Sequence, residues 1–180
     1  MNKKWKILIG WSLFILIFDQ LTKYLINLTL PQGGKIEIIR GFFDLVHYRN
    51  RGAAFGMLVE WESLLRTIFL FAVSLFAFGF LIYYFHRTPP AEKKILVCLS
   101  LIFGGAVGNL IDRVFRGSVI DFILLHWQDK ISRFQFFGKS YAIELVWPAF
   151  NVADSAITVG VILLLGIHKE FFYQLSKNFV

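Results

Sequence analysis

The residues that decide the architecture of this chain are Gly104–Phe122, GGAVGNLIDRVFRGSVIDF, and the shorter run Phe150–Ser155, FNVADS. Both runs place carboxylates and amides inside segments that otherwise suit a hydrocarbon environment. An ionisable group is costly in such an environment and marks a functional site by default. The polar residues of these two runs are therefore the first candidates for function.

Three glycines, Gly104, Gly105 and Gly108, begin the longer run. Small residues at this spacing allow two membrane helices to approach each other closely. We therefore expect close packing of another helix against this segment.

Composition places the chain in a membrane. The 180 residues are 57% hydrophobic, 18% aromatic and 17% charged, and their mean hydropathy is +0.62, which is too apolar for a soluble domain. The net charge is +7, but the basic residues cluster around apolar runs. Nucleic-acid binding would need a continuous basic face, so we expect no nucleic-acid partner.

Disulfide and metal chemistry are not expected either. The single Cys98 lies in an apolar run, which excludes an intrachain disulfide. The four histidines, at positions 47, 86, 126 and 168, show no metal-ligand spacing. We therefore predict no bound metal and no other cofactor.

Four apolar runs are each long enough to span a hydrocarbon core, which takes about 20 helical residues. They cover residues 7–28, 63–85, 95–115 and 146–167. The first run resembles a signal peptide, but it continues to about Leu28 without a small-residue cleavage site, so we interpret it as a retained anchor. The predicted fold is an all-α membrane protein with four transmembrane helices in a single domain over residues 1–180.

The positions of the basic residues predict the orientation. They crowd the N-terminus (Lys3, Lys4, Lys6), the connection after the second run (Arg87, Lys93, Lys94) and the segment after the fourth (Lys169, Lys177). With four spans these segments share one side, which the positive-inside rule makes cytoplasmic. Both termini are then cytoplasmic, and the connections 29–62 and 116–145 face outward.

The two outward connections differ in their patterns. The first has two β-prone runs, Ile36–Ile39 and Phe42–Tyr48, separated by glycines, which predicts a small extracytoplasmic β-rich element. The second, Trp127–Leu145, mixes aromatic and basic residues. We expect this second segment to rest on lipid headgroups.

Polar residues of three spans are predicted to lie at one level. They are, in chain order, Asp19, Lys23, Asn109, Asp112, Arg113, Asn151 and Asp154. In the predicted orientation all of them fall in the outer third of the membrane. That is the arrangement that a single site toward the outer leaflet requires.

Two of the carboxylates have cations nearby along the chain. Asp19 precedes Lys23 by one helical turn, and Asp112 is next to Arg113 with Arg116 one turn further on. Residues four apart are neighbours on a helix, and a nearby cation favours the ionised carboxylate. We interpret both groups as structural ion pairs.

Asp121 and Asp154 have no cation among their helical neighbours. If they came close, they would titrate as a coupled pair that shares one proton near neutral pH. The ionised partner could then take a proton from water while the protonated partner polarises a carbonyl, as in aspartic proteases. Two other interpretations stay open: Asp121 could cap a helix end, and Asp154 could lie on a proton or ion pathway.

The two asparagines share helix faces with the acids. Asn109 lies three and four residues before Asp112 and Arg113, and Asn151 lies three before Asp154. Each amide can orient its carboxylate or bond an extended substrate backbone. A structural hydrogen bond between helices is the alternative for each.

The chain resembles the type II signal peptidases, the bacterial lipoprotein signal peptidases, over nearly its whole length. Five ordered motifs carry the resemblance: Asp19-Gln20 with Lys23; Asn50–Phe55, NRGAAF; Gly104–Ala106 and Gly108-Asn109 through Asp112-Arg113; Val119–Phe122, VIDF; and Trp147–Ser155, WPAFNVADS. The stretch between Asp121 and Phe150 is longer than is usual in that family. The role of the added length is left open.

The resemblance implies a membrane aspartic endopeptidase with Asp121 and Asp154 as its catalytic aspartates. The residues that it implies for support or substrate contact are Asp19, Lys23, Asn50, Gly52, Asn109, Asp112, Arg113 and Asn151. The implied reaction removes the signal peptide of a diacylglyceryl-modified prolipoprotein before the lipidated cysteine, without a metal. The implied location is the bacterial cytoplasmic (inner) membrane, with phospholipid as the surrounding partner.

Two alternatives remain at this point. A small proton-coupled transporter or channel subunit would use Asp19, Asp112 and Asp154 as intramembrane acids. A non-catalytic scaffold would depend on the ion pairs and tolerate changes at Asp121. Only the peptidase requires a pair of acids without cationic partners.

Overall fold

The computed structural model describes residues 2–52, 63–136 and 139–177. The helices are α1 (Lys3–Thr29), α2 (Ser63–Arg87), α3 (Lys93–Arg116) and α4 (Val152–Lys177). The strands are β1 (Lys35–Ile39), β2 (Phe43–Asn50), β3 (Val119–Phe136) and β4 (Lys139–Phe150). The chain is thus built of helices that are joined at one end by a sheet.

Three helices of the described chain are long and apolar enough to cross a membrane: Lys3–Thr29, Thr67–Arg87 and Lys93–Arg116. These three match the first three predicted spans. Large apolar side chains on their outer faces are exposed, with Phe14 at 59% and Phe76 at 78%. Hydrocarbon is the solvent that suits such faces, because exposing large apolar side chains to water is unfavourable.

The fourth predicted span, 146–167, is wrong at its start. Residues 146–150 belong to β4, and α4 begins only at Val152. Pro148 lacks an N–H group and disfavours the helical conformation at Trp147. The apolar part of α4, Val152–Ile167, is shorter than the other three apolar segments.

A reciprocal cap fixes the beginning of α4. The Asn151 Oδ1 accepts the Asp154 N–H at 2.9 Å, and the Asp154 Oδ2 accepts the Asn151 N–H at 3.2 Å. This is the hydrogen-bond pattern of a capping box, which satisfies backbone donors that the first helical turn leaves free. The helix therefore begins directly after Asn151, with Asp154 in its first turn.

The four strands form one antiparallel sheet in the order β1-β2-β3-β4. The two strands predicted in the first connection are present. The second connection, for which no strand was predicted, supplies the other two strands. The fold is therefore mainly helical, as predicted, and its β-rich element is larger than predicted. Ile120 and Phe122 of β3 pack against Ile26 of α1, and this burial supports strand formation there.

The glycines of α3 allow the close helix packing that the sequence predicts. A Cβ at Gly104 would lie 2.7 Å from the Ser12 carbonyl oxygen of α1. A Cβ at Gly108 would lie 2.6 Å from Asp19 Oδ2, in space that a carboxylate already occupies. Helix α3 is therefore the central helix, with α1 and α4 packed against its glycine face.

Gly105→Ala is expected to destabilise the protein by about 1–3 kcal/mol, the usual cost of overpacking. The added Cβ would overlap the Ala153 backbone carbonyl oxygen and lie 2.9 Å from Ile157 Cγ1, so α3 and α4 would have to separate. Thermal unfolding in detergent measures the loss. Gly79→Ala is the matched control, because a Cβ there meets nothing within 4 Å, and we expect it to be neutral or stabilising by up to about 1 kcal/mol. Equal losses in both variants would contradict this explanation.

Candidate active site

Asp121 and Asp154 meet around the side chain of Asn151, although they belong to β3 and α4. The Asn151 Nδ2 donates to Asp121 Oδ1 at 2.8 Å, while the Asn151 Oδ1 accepts the Asp154 N–H at 2.9 Å. Asn151 is fully buried and Asp121 is 4% exposed, whereas Asp154 is partly exposed. Asp154 is therefore the less buried acid of the pair.

Two further asparagines donate to the pair. The Asn109 Nδ2 donates to Asp154 Oδ1 at 2.8 Å, and the Asn50 Nδ2 donates to Asp121 Oδ2 at 3.1 Å. The Asn50 Oδ1 accepts the Gly52 N–H at 2.9 Å, which fixes the orientation of that amide. Each carboxylate is thus held by neutral amide donors.

Neither Asp121 nor Asp154 forms an ion pair within the part of the chain that the structure describes. Two cations nonetheless act on them from a greater distance. Asp154 and Asp121 are the two largest favourable charges acting on Arg113, and Lys23 acts on Asp121. Asp121 and Asp154 were expected to have no cation nearby. Among the described residues no cation contacts them directly, but Arg113 and Lys23 are close enough to act on them electrostatically.

Burial, and after it the charge of Asp154, raise the pKa of Asp121 from 3.8 to about 6. The amide donors of Asn50 and Asn151 act in the opposite direction. A carboxyl group with such a pKa exchanges its proton close to neutral pH. This is the property that general acid–base catalysis requires.

A buried ionic network lies behind the pair. The Lys23 Nζ is 2.8 Å from Asp19 Oδ2 and 2.9 Å from Asp112 Oδ2, and all three side chains are fully buried. The Lys23 Nζ also donates to Asn109 Oδ1 at 3.0 Å. Asp19 in turn accepts the Ala153 N–H at 2.9 Å, at the N-terminus of α4, where a negative charge is favourable.

The predicted ion pair of Asp19 with Lys23 is therefore present, but the partners of Asp112 differ in part from the prediction. Asp112 pairs with Lys23 and with Arg116. Arg113 forms no ion pair within 4.0 Å among the described residues, and its NH1 donates to the Asn109 carbonyl at 3.4 Å. Adjacent residues point about 100° apart on a helix, so Arg113 faces the acid pair and Arg116 faces Asp112.

The structure joins all ten sequence-predicted residues through hydrogen bonds and ion pairs. They are Asp19, Lys23, Asn50, Gly52, Asn109, Asp112, Arg113, Asp121, Asn151 and Asp154. No group of three or more His, Cys, Asp or Glu side chains among the described residues is arranged to hold a metal.

Sequence reasoning assigned no site role to Gln20 and Arg116. The Gln20 Nε2 donates to Asp19 Oδ2 at 3.1 Å and to Asp112 Oδ1 at 3.3 Å, and the Gln20 Oε1 accepts from Arg116 at 2.9 Å. The spacing of four residues had predicted Arg116 only as an ion-pair neighbour of Asp112, and that ion pair is present. Gln20 was quoted only as part of the Asp19-Gln20 motif, and its contacts with Asp112 and Arg116 could not be read from local spacing because these two partners lie on another helix.

The fold and the site together define a class of protein. Three helices of the described chain are able to cross a bilayer. Beside them, strand β3 and helix α4 bring two carboxyl groups together around amides, and the pKa of one of these groups, Asp121, is about 6. This is the constellation of a membrane aspartic peptidase, in which one acid acts as base while the other stays protonated.

Comparison with known proteins agrees with that class. The model of the signal peptidase (SPase) II family matches residues 11–169. A lipoprotein signal peptidase of Geobacter sulfurreducens is 43% identical over 149 residues, which are 83% of this chain and 82% of that protein. The lipoprotein signal peptidase of Staphylococcus aureus (strain MRSA252) is 37% identical over 169 residues, 92% of this chain and 90% of that protein.

A solved structure is similar as well. A bacterial membrane enzyme determined by the in meso method at 2.3 Å resolution superposes with a TM-score of 0.70 at 35% identity, covering 91% of this chain and 88% of that one. The chain therefore belongs to the signal peptidase II family and is a membrane aspartic peptidase.

Proposed function

We propose that this chain removes the signal peptide from diacylglyceryl-modified prolipoproteins by cleaving before the lipidated cysteine, with Asp121 and Asp154 as the catalytic pair. The observation that supports this assignment best is the approach of these two acids around Asn151, without an ion pair to either of them in the described chain. The curated relatives, which are named lipoprotein signal peptidases, support the substrate class.

The mechanism that fits this geometry divides two roles between the acids. One carboxylate takes a proton from the attacking water, and the protonated partner donates a hydrogen bond to the scissile carbonyl oxygen. The resulting tetrahedral intermediate then collapses as the leaving amine receives a proton. A pKa of about 6 for Asp121 suits a group that must hold and release a proton near neutral pH.

The amides of the site have positioning roles in this mechanism. Asn50 and Asn151 donate to Asp121, and Asn109 donates to Asp154. A donated hydrogen bond stabilises the charged form of an acid without fixing its charge as an ion pair would. Each acid therefore keeps the freedom to change its protonation state during the reaction.

The proposed topology has four spans, with the termini in the cytoplasm and the site toward the outer leaflet of the bacterial inner membrane. The 26 residues of helix α4 extend about 39 Å, which is long enough to reach across the roughly 30 Å of a hydrocarbon core, with the apolar part Val152–Ile167 forming the proposed fourth span. The Lys4 Nζ donates to the carbonyls of His86 and Thr88 at 3.1 and 2.9 Å. The basic N-terminus and the basic connection between α2 and α3 thus share one side.

This location gives the lipid on the substrate a physical role. The catalytic pair lies where α1, α3 and α4 meet the sheet, at the end opposite to Lys4. The acyl chains of a substrate could stay in the surrounding phospholipid while the scissile bond reaches water. We therefore propose diacylglyceryl-modified prolipoproteins and membrane phospholipid as the partners of this chain.

The alternative of a proton-coupled transporter is not supported. The comparisons name peptidases. Two of the three acids that motivated the alternative, Asp19 and Asp112, are fully buried and paired with Lys23, so neither is free to carry protons.

Cleavage of a synthetic prolipoprotein peptide by the purified protein in detergent tests the proposal. We expect a product that begins at the diacylglyceryl-modified cysteine, identified by mass spectrometry, and no product from the same peptide with an unmodified cysteine. The lipidated peptide left intact, or cut at another bond, would contradict the proposed function.

A further inference from the structure

Arg116 connects solvent to the buried network behind the acid pair. Its NH1 donates to Asp112 Oδ1 and, at 2.9 Å, to Gln20 Oε1. The Arg116 side chain is 28% exposed, whereas Asp112 is fully buried. Arg116 therefore sits at the rim of the network and holds one oxygen of Asp112.

The other oxygen of Asp112 is tied to the backbone beside Asp121. The Asp112 Oδ2 accepts the Ile120 N–H at 3.2 Å, and the Ile120 carbonyl accepts from Asn151 at 3.3 Å. Both backbone groups of the residue before Asp121 are thus held by side chains of the site. A rotation of Asp112 would release one of these contacts and move Asp121.

Asp112 is linked to Asp154 through Lys23. The Lys23 Nζ contacts Asp112 Oδ2 at 2.9 Å and donates to Asn109 Oδ1 at 3.0 Å. An ammonium group can only donate, so Asn109 must turn its oxygen toward Lys23 and its Nδ2 toward Asp154. The hydrogen bond that the Asn109 Nδ2 donates to Asp154 at 2.8 Å therefore depends on this network.

The formal charges of the network balance. Asp19 and Asp112 supply two negative charges, and Lys23 and Arg116 supply two positive ones. Loss of Arg116 would leave one uncompensated negative charge in a buried region next to the catalytic acids. A like charge nearby disfavours ionisation of a carboxyl group.

We propose that Arg116, together with Gln20, is a positioning residue for the catalytic pair, orienting Asp112 and neutralising the charge of the buried network. The proposal rests on the function proposed above. Other described charged groups facing the pair are Asp19 and Lys23 on α1 and Asp112 and Arg113 on α3. The facing side chain from β2 is the uncharged Asn50.

Steady-state cleavage of the lipidated peptide by Arg116→Gln, measured from about pH 5 to pH 9, tests the proposal. We expect the rise of kcat on the acidic side of the pH profile, the acid limb, to occur about one pH unit higher than in the wild type. At a given pH on this limb kcat should be roughly tenfold lower, and it should recover at higher pH. The KM should stay near the wild-type value, because Arg116 contacts Asp112 and Gln20 behind the pair. Arg116→Lys restores the charge and should return the limb toward its wild-type position.

Arg40→Gln is the matched control. Arg40 is exposed in the turn between β1 and β2, so its loss removes the same charge from the sheet end of the molecule without touching the network. Its pH profile should equal that of the wild type. A wild-type profile in Arg116→Gln, with only a lower melting temperature, would overturn the proposal in favour of a purely structural contact.

Gln20→Met provides an independent test should Arg116→Gln fail to fold. This variant removes the second contact of Arg116 without a change in charge, so kcat should fall while the acid limb stays in place. Wild-type kcat in Gln20→Met would overturn the proposal. Failure of the wild type itself to cleave would instead refute the proposed function, and the two failures are therefore distinguishable.

Discussion

Asp121→Asn and Asp154→Asn are each expected to reduce cleavage of a lipidated prolipoprotein peptide by at least about a thousandfold. Asparagine keeps the size of the side chain but can neither release nor accept a proton at neutral pH, and a positioned acid or base contributes about 10²–10⁴ in rate. Because the two acids act as one unit, the double variant should be no slower than either single variant. Single-turnover cleavage with quantified product measures all three.

Asp44→Asn is the matched control for these variants. Asp44 is also a fully buried aspartate, but it lies on β2 and is bound by Lys35 and His126, each at 2.6 Å. Its replacement changes a buried carboxylate outside the proposed site, so cleavage should stay close to the wild-type rate. Full processing of the substrate by Asp121→Asn or Asp154→Asn would refute the catalytic pair.

Asp121→Asn should also leave the protein folded, and more stable than the wild type at neutral pH. The pKa of Asp121 rises from 3.8 to about 6 on folding, so the folded state binds the proton more tightly than the unfolded state. Stability is therefore lost as pH rises through this window, by at most about 3 kcal/mol. The amide replacement removes that cost, although its NH₂ group faces a donor from Asn50 or Asn151.

Melting temperatures in detergent at about pH 4 and pH 8 check this expectation. The variant should gain stability over the wild type at the higher pH and show no gain at the lower pH. A melting temperature well below that of the wild type at pH 8 would contradict it, because lost activity would then reflect unfolding rather than lost chemistry.

Lys23→Met is expected to cost about 3–5 kcal/mol of stability, the usual effect of removing one partner from a buried ion pair. Lys23 is fully buried and is an ion-pair partner of both Asp19 and Asp112. Methionine fills a similar volume but leaves the two carboxylates with Arg116 as the remaining ion-pair partner. Equilibrium unfolding in detergent micelles measures the loss.

Two comparisons isolate the electrostatic cause. Lys6→Met changes an exposed lysine of the same helix and should alter stability by no more than about 0.5 kcal/mol. The double variant Lys23→Met with Asp19→Asn removes one charge of each sign, and it should recover part of the lost stability. Equal stabilities of Lys23→Met and Lys6→Met would show that the buried network does not stabilise the fold.

Patterns within single elements allowed much of this structure to be predicted. The four-residue spacing of Asp19 and Lys23 predicted an ion pair that is present. The beginning of α4 was missed, although Pro148 and the three-residue spacing of Asn151 and Asp154 both carry the local information for it. Residues 119–125 form a strand by pairing with β2, a partner distant in sequence.

Local spacing and hydropathy alone specified the first three membrane helices, the ion pair within α1 and the residue types of the site. They could do so because these properties depend on neighbours within one helical turn or on the length of an apolar run. Packing between different elements decided the remaining features. It brings Asp121 and Asp154 together around Asn151, forms the ion pair between Asp112 and Lys23, and raises the pKa of Asp121. Burial and contacts between elements exist only after the chain has folded.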